Sequence, residues 1–324
     1  MNKKRTLLIS AISIKALVVA AFIWSGSSKG IDEAQQSRNS GPTTFSPEIP
    51  LTLSFAGKNI DFDRYDMYER LDRELSSLTY LHSTTMLYIK RANRYFPIIV
   101  PILKQNGIPE DFKYMAVIES NLSERAVSPA KAVGLWQFLE STGKSYGLEV
   151  GAEVDERYHI EKSTVAACKY LKEAYSKYKD WVTVAASYNA GMGRISSELS
   201  KQQASSSMDL WLVEETSRYF FRMIACKEVM ENPGRYGFSL KAHQLYKPIE
   251  CKEITVDSSV PDWVTFAQDN GITYYQLRDF NTWIRSSSLI NKTGKLYKVK
   301  IPYKDDMYYK KGEKPNVYDS RWVN

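Results

Sequence analysis

In the stretch "DFKYMAVIES", residues 111–120, a carboxylate falls where an apolar side chain is due. Phe112, Met115 and Ala116 sit at i, i+3 and i+4, the spacing of one helix face, and the i+7 place on that face is Glu119. A carboxyl group on a core-facing stripe loses its water. Desolvation disfavours the ionised form and raises the pKa, which is what a general acid needs near neutral pH. The same position also suits a glutamate that has simply reached solvent at the end of a short helix. Two other acids follow, Glu124 and Glu140. Both read as solvated surface charges, the usual fate of acidic residues.

Further polar residues with chemical use come after Glu119 at definite spacings. Ser120 is adjacent, Ser128-Pro129 follows, and then come Gly134-Leu135-Trp136-Gln137, Ala186-Ser187-Tyr188-Asn189-Ala190-Gly191 and, in "EETSRYF", Tyr219. The amides of Gln137 and Asn189 suit N-acetyl and hydroxyl groups. Each residue also has a structural reading: the glycines allow tight turns and the tyrosines pack. Taken together and in order, the motifs resemble the lysozyme-like lytic transglycosylases of the soluble-lytic-transglycosylase type, and within them the membrane-bound murein transglycosylase D group. The resemblance covers about residues 60–240.

That resemblance implies a mainly α protein whose catalytic domain is all-α and lysozyme-like. It implies a substrate, the glycan strands of peptidoglycan, and a reaction, non-hydrolytic cleavage of the MurNAc-β-1,4-GlcNAc bond to leave a 1,6-anhydro end. Glu119 would be the catalytic acid and then base. Ser120, Ser128, Gly134, Trp136, Gln137, Tyr188, Asn189 and Tyr219 would bind substrate or orient Glu119. Tyr188 is the residue expected to hydrogen-bond it, and Tyr219 would close the site from a later helix. The family's second motif often carries Met where this chain has Trp136, whose flat face would suit a sugar ring. Most glycosidases use two carboxylates. An internal sugar hydroxyl as nucleophile removes that need. The alternatives are a hydrolytic muramidase and a non-catalytic peptidoglycan-binding protein.

The elements that must position these residues are helical. Residues 61–106 carry apolar residues at helical spacing, with Pro97 and Pro101 expected to kink or split the run. Ser163 and Asp180 read as N-caps of the next two long helices. The pattern changes near 245–252 to strand, helix, helix, strand. This part resembles a degenerate LysM module, a βααβ unit that in its family binds GlcNAc-containing glycans. The expected division is 1–30 signal peptide or membrane anchor, 31–58 flexible linker, 59–245 transglycosylase domain with an N-terminal helical extension, 250–305 LysM-like module and 306–324 poorly ordered tail.

Charge narrows the partners. The chain has 44 Lys and Arg against 37 Asp and Glu, but five of the basic residues and no acid lie in residues 1–30. Without them the balance is near even and no basic stripe is left, so nucleic acid is not an expected partner. Lys3-Lys4-Arg5 followed by the apolar run 6–24 and the small residues of "SGS" reads as an export signal, cleaved or kept as an anchor. The expected location is therefore the cell envelope (periplasm), with membrane association through residues 6–24 if the segment stays. No Cys follows the run, so a lipoprotein is not expected. Cys168, Cys226 and Cys251 show no metal-ligand spacing with each other or with a His, so no metal or cofactor is expected. They allow one disulfide without selecting its pair.

Overall fold

Helix-period burial builds most of the chain. The computed structural model describes residues 44–323. The segment expected as signal or anchor lies outside the described residues, as does most of the expected linker. Residues from Pro47 onward form one compact unit, to which all that follows refers.

The unit opens with a hairpin, β1 (Thr52–Phe55) and β2 (Lys58–Asp61), paired antiparallel from Thr52↔Asp61 to Phe55↔Lys58. Ala56 and Gly57 both take positive φ, 51° and 78°, as a two-residue turn between twisted strands requires. Residues 52–58 are therefore ordered strand and turn, not flexible linker. Composition hid this, because the packing of Phe55 against Phe112 and Phe220, at 5.6 and 5.1 Å between ring centroids, is long-range.

Eight helices follow in the larger domain: α1 (Tyr65–Tyr80), α2 (His82–Gln105), α3 (Lys113–Ser120), α4 (Glu140–Ser145), α5 (Ile160–Tyr178), α6 (Trp181–Ala190), α7 (Met192–Lys201) and α8 (Glu214–Glu231). Helix α8 is central and packs on α1, α3 and α6, while α2 packs on α5, α3 and α1. Helix α2 runs unbroken through Pro97 and Pro101. The two prolines are four apart and both exposed, so their rings fall on the outer side of the helix. The opposite face, from Ile89 through Phe96 to Leu103, is fully buried. The long helix α5 starts earlier than Ser163. His159 is its N-cap, and Ser163 sits inside the first turn, donating to the Ile160 carbonyl at 3.2 Å. Asp180 does cap α6, accepting from Val182 N and Thr183 N at 3.3 and 3.0 Å.

The second part is β3 (Cys251–Val256), α9 (Trp263–Asp269), α10 (Tyr274–Phe280) and β4 (Tyr297–Pro302), with β3 and β4 antiparallel. It has its own core around Trp263, Leu277, Trp283 and Val299, and Val154 from the helical part enters that core. The mainly α expectation with a small βααβ module holds. All three cysteines are free thiols. Among the described residues no helix is long and apolar enough to cross a membrane, and no group of side chains could hold a metal ion.

The segment after residue 305 is not a loose tail. Trp322 is 2 % exposed, its Nε1 donates to the Met230 carbonyl at 2.8 Å, and its ring meets Phe96 at 6.0 Å. Asn93 accepts from Tyr318 N at 2.8 Å and donates to the Asn316 and Tyr246 carbonyls. Lys- and Asn-rich composition masked these anchors. Trp322→Ala should cost about 3–5 kcal/mol, as for other buried aromatics, read as a lower urea midpoint at unchanged slope. An unmoved midpoint would show that the segment adds nothing.

Candidate active site

Glu119 sits in the last turn of α3, and the helix does reach it. Phe112, Met115 and Ala116 are fully buried, and the helix stops only at Asn121, whose left-handed conformation (φ 55°) closes the C-terminus by donating to the Val117 carbonyl at 2.8 Å. Glu119 is half-buried. It lines a cavity of about 270 Å³ together with Ser128, Gln137, Tyr188, Asn189 and Glu215. Burial pushes its carboxyl up to about 7, well above the usual carboxylate range. The Tyr219 hydroxyl, donating to Oε1 at 2.5 Å, and the nearby Arg222 cation pull it down, while the Glu215 charge raises it further. The result is a carboxyl that can hold or release a proton near neutrality.

Tyr219, on α8, is the residue that holds Glu119. Tyr188, expected in that role, points its hydroxyl elsewhere and donates to the Trp136 carbonyl at 2.8 Å. Its ring lies edge-on to Tyr170, with centroids 5.1 Å apart. Tyr188 thus lines the cavity and braces the opposite loop. Trp136 is fully buried, with Nε1 donating to Thr164 Oγ1 at 2.9 Å, so it offers no face to a sugar. Ser120 is also turned inward, donating to the Ala116 carbonyl at 3.0 Å.

The loop between α3 and α4 forms the other wall. Ser128 Oγ accepts from Ala132 N at 3.0 Å, and Gly134 N donates to the Ala126 carbonyl at 2.9 Å. Gly134 has φ +78°, and a Cβ there would lie 2.1 Å from the Arg157 carbonyl oxygen. No other residue fits without moving backbone. Arg157 is itself fixed by a two-pronged pair with Asp155, at 2.9 and 2.7 Å. Gln137 donates its amide to the Gly134 carbonyl at 2.8 Å and to that of Ala126 at 3.3 Å. Asn189 accepts from Thr216 Oγ1 at 2.8 Å and reaches Glu215 Oε1 at 3.4 Å.

Sequence reasoning missed Glu215 and Tyr170 in this cavity. Glu215 precedes the Thr216–Tyr219 segment of a motif already recognised, and its place in the first turn of α8 was the available signal. Glu124 is not the solvated charge expected. Burial raises it to about 7, with the Asp279 charge as a second cause, in a separate small pocket with His159, Glu161, Trp283 and Lys300. Glu140 is exposed and pairs with Lys144 at 2.6 Å.

Residues 97–210 match the Transglycosylase SLT domain, and residues 252–305 match the soluble lytic transglycosylase C-terminal LysM-like domain. The chain carries an SLT domain followed by a LysM-like domain. It is 30% identical over 241 residues to membrane-bound lytic murein transglycosylase D of Escherichia coli (strain K12), an alignment covering 73% of this chain and 51% of that protein. It is also 29% identical over 117 residues to a putative tributyltin chloride resistance protein of Alteromonas sp. (strain M-1), covering 36% of this chain and 56% of that one. The chain thus spans about half the length of the curated relatives it matches. The crystal structure of the 70 kDa soluble lytic transglycosylase from Escherichia coli superposes with a TM-score of 0.36 at 20% identity, over 42% of this chain and 24% of the other.

Within the SLT domain, Glu119, Gln137, Tyr188 and Asn189 share one cavity, and Tyr219 reaches it from α8 just beyond the matched residues. A carbon-13 titration should find Glu119 near 7, and higher still in Tyr219→Phe, because the lost hydrogen bond favours the charged form. A titration in the ordinary carboxylate range would refute the desolvated site. Gly134→Ala should cost upwards of about 2 kcal/mol of stability, since a clash with backbone must be relieved, measurable as a fall in Tm.

Proposed function

We propose that this chain is a peptidoglycan lytic transglycosylase that cleaves the MurNAc-β-1,4-GlcNAc bond and leaves a 1,6-anhydro-MurNAc end. The observation that carries this reading is Glu119 itself, a carboxyl raised to about 7 by burial and anchored by Tyr219 inside a cavity of an SLT domain. The protonated Glu119 gives its proton to the glycosidic oxygen as the C1–O4 bond breaks. The carboxylate so formed then takes the proton of the muramic acid C6 hydroxyl as O6 bonds to C1. Glu119 ends as it began, and no water is consumed. The substrate's N-acetyl group can steady the positive charge at C1 between the two steps. Because O6 belongs to the same sugar, its approach gains the advantage of an intramolecular reaction.

Gln137 and Asn189, whose amides are fixed by Gly134 and Thr216, would hold N-acetyl and hydroxyl groups. Ser128 would serve through the shape of its loop. The LysM-like domain supports a glycan polymer as substrate. A groove of about 440 Å³ between Ile254 and Asp269 is the surface it would use. The basic start, the apolar run 6–24 and a substrate found outside the cytoplasm support export to the cell envelope.

Glu215 favours one second reading. A second carboxylate in the cavity could activate water and make the chain a hydrolytic muramidase. Product mass separates the two, because hydrolysis adds one water per cut. Glu119→Gln should abolish release of fragments from purified sacculi while the protein stays folded. Glu215→Gln should still yield anhydro products, more slowly. Reducing ends from the parent protein, lost in Glu215→Gln, would establish hydrolysis instead. Since the acid must be protonated, kcat/KM should fall as pH rises through about 7.

A further inference from the structure

Trp211 is the most exposed large apolar side chain among the described residues, at 91 %. Tryptophan carries a large apolar area and is highly buried on average. A loose loop would explain the exposure, but this segment is fixed. Ser207 N donates to Thr183 Oγ1 at 3.0 Å, Arg70 reaches the Met208 carbonyl at 3.4 Å, and Leu210 is buried. Trp211 itself is gripped at both backbone groups by one side chain. Its N–H donates to Gln202 Oε1 at 2.8 Å, and its carbonyl accepts from Gln202 Nε2 at 3.0 Å. Gln202 is in turn tied to Glu198 Oε2 at 2.9 Å. The backbone is ordered while the indole is left in water.

The location is specific as well. Four residues further on, Glu215 lines the cavity that holds Glu119. Four residues span at most about 14 Å, and α8 begins at Glu214, so the actual separation is shorter. Trp211 therefore stands just outside the end of the cavity formed by Asn189 and Glu215. Its apolar neighbours in the chain are few: Leu212 is partly buried, Val213 is half exposed, and the next residue, Glu214, is an exposed acid paired with Arg73. That is the footprint of one ring, not of a protein partner.

We propose that Trp211 is the platform of an outer sugar subsite, on which a pyranose ring of a glycan strand stacks its apolar C–H face after leaving the cavity beside Glu215. The proposal rests on the reading of the substrate as a glycan polymer. A strand longer than the cavity must leave it somewhere, and a pre-ordered aromatic at the exit binds a ring with little loss of freedom.

The test uses the full chain carrying Glu119→Gln, so that glycan is bound without being cut. Calorimetry compares long, peptide-free glycan strands with a fragment no longer than the cavity. Adding Trp211→Ala should weaken long strands about 3- to 10-fold, the range of aromatic stacking, and leave the short fragment's affinity in place. Trp211→Phe should keep most of the long-strand affinity. Equal weakening of both lengths, the mark of a shifted segment, would overturn the subsite, and so would no weakening at all. The parent protein's own products separate this from the proposed activity. Trp211-dependent binding without fragment release would refute the activity and support the subsite. Fragment release with unaltered binding in Trp211→Ala would do the reverse.

Discussion

The hydrogen bond from Tyr219 to Glu119 ties the central helix α8 to the last turn of α3, two helices that also pack on each other. One end is a carboxyl that burial alone would leave neutral and free to turn. The other is a tyrosine buried on a helix that is itself surrounded, with Phe220, Phe221 and Met223 packed on its other sides. Because α8 touches α1, α3 and α6, the hydroxyl of Tyr219 cannot move without shifting most of the core. Desolvation and the hydrogen bond act on the proton in opposite directions. Their balance leaves the group near neutrality, and the aromatic core around α8 keeps that balance fixed in space.

The helix stripe ending in Glu119 and the cap at Asp180 were readable because both are local: a period of 3.6 and a side chain two or three residues from its partner. The membership of the site was readable as far as motifs reached, and Glu119, Gln137, Tyr188, Asn189 and Tyr219 do converge. Which tyrosine serves Glu119 was not, because both lie on helices distant in sequence and only packing decides between them. Trp136 and Ser120 show the same limit. Their neighbours in the chain face the cavity, yet a one-residue step along a tight turn or a helix rotates a side chain away into the core. The hairpin at residues 52–61 depends on contacts with Phe112 and Phe220, which no local pattern announces.

The two parts of the unit share a support. Asp155 and Arg157 fix the backbone against which Gly134 lies, while Val154, one residue earlier, sits in the core of the C-terminal part. Asp155 N also donates to the Trp283 carbonyl, and Arg285 N to that of Glu153. The stretch around residue 155 is thus the floor of the Gly134 loop on one side and a wall of the βααβ module on the other. Displacing the module would strain the loop that carries Ser128 and Gln137.

Trp322 gives the chain a temporal order. Residues of α2 and α8 are among the first and middle portions to be made, yet the ring that fills the space beside Phe96 and binds the Met230 carbonyl lies more than ninety residues after Met230. Domains fold as they emerge, N-terminal portions first. Here one place in the core of the helical part is filled only by a residue that follows the C-terminal module. A chain cut short after the helices keeps every residue around Glu119 but leaves that place in the core empty.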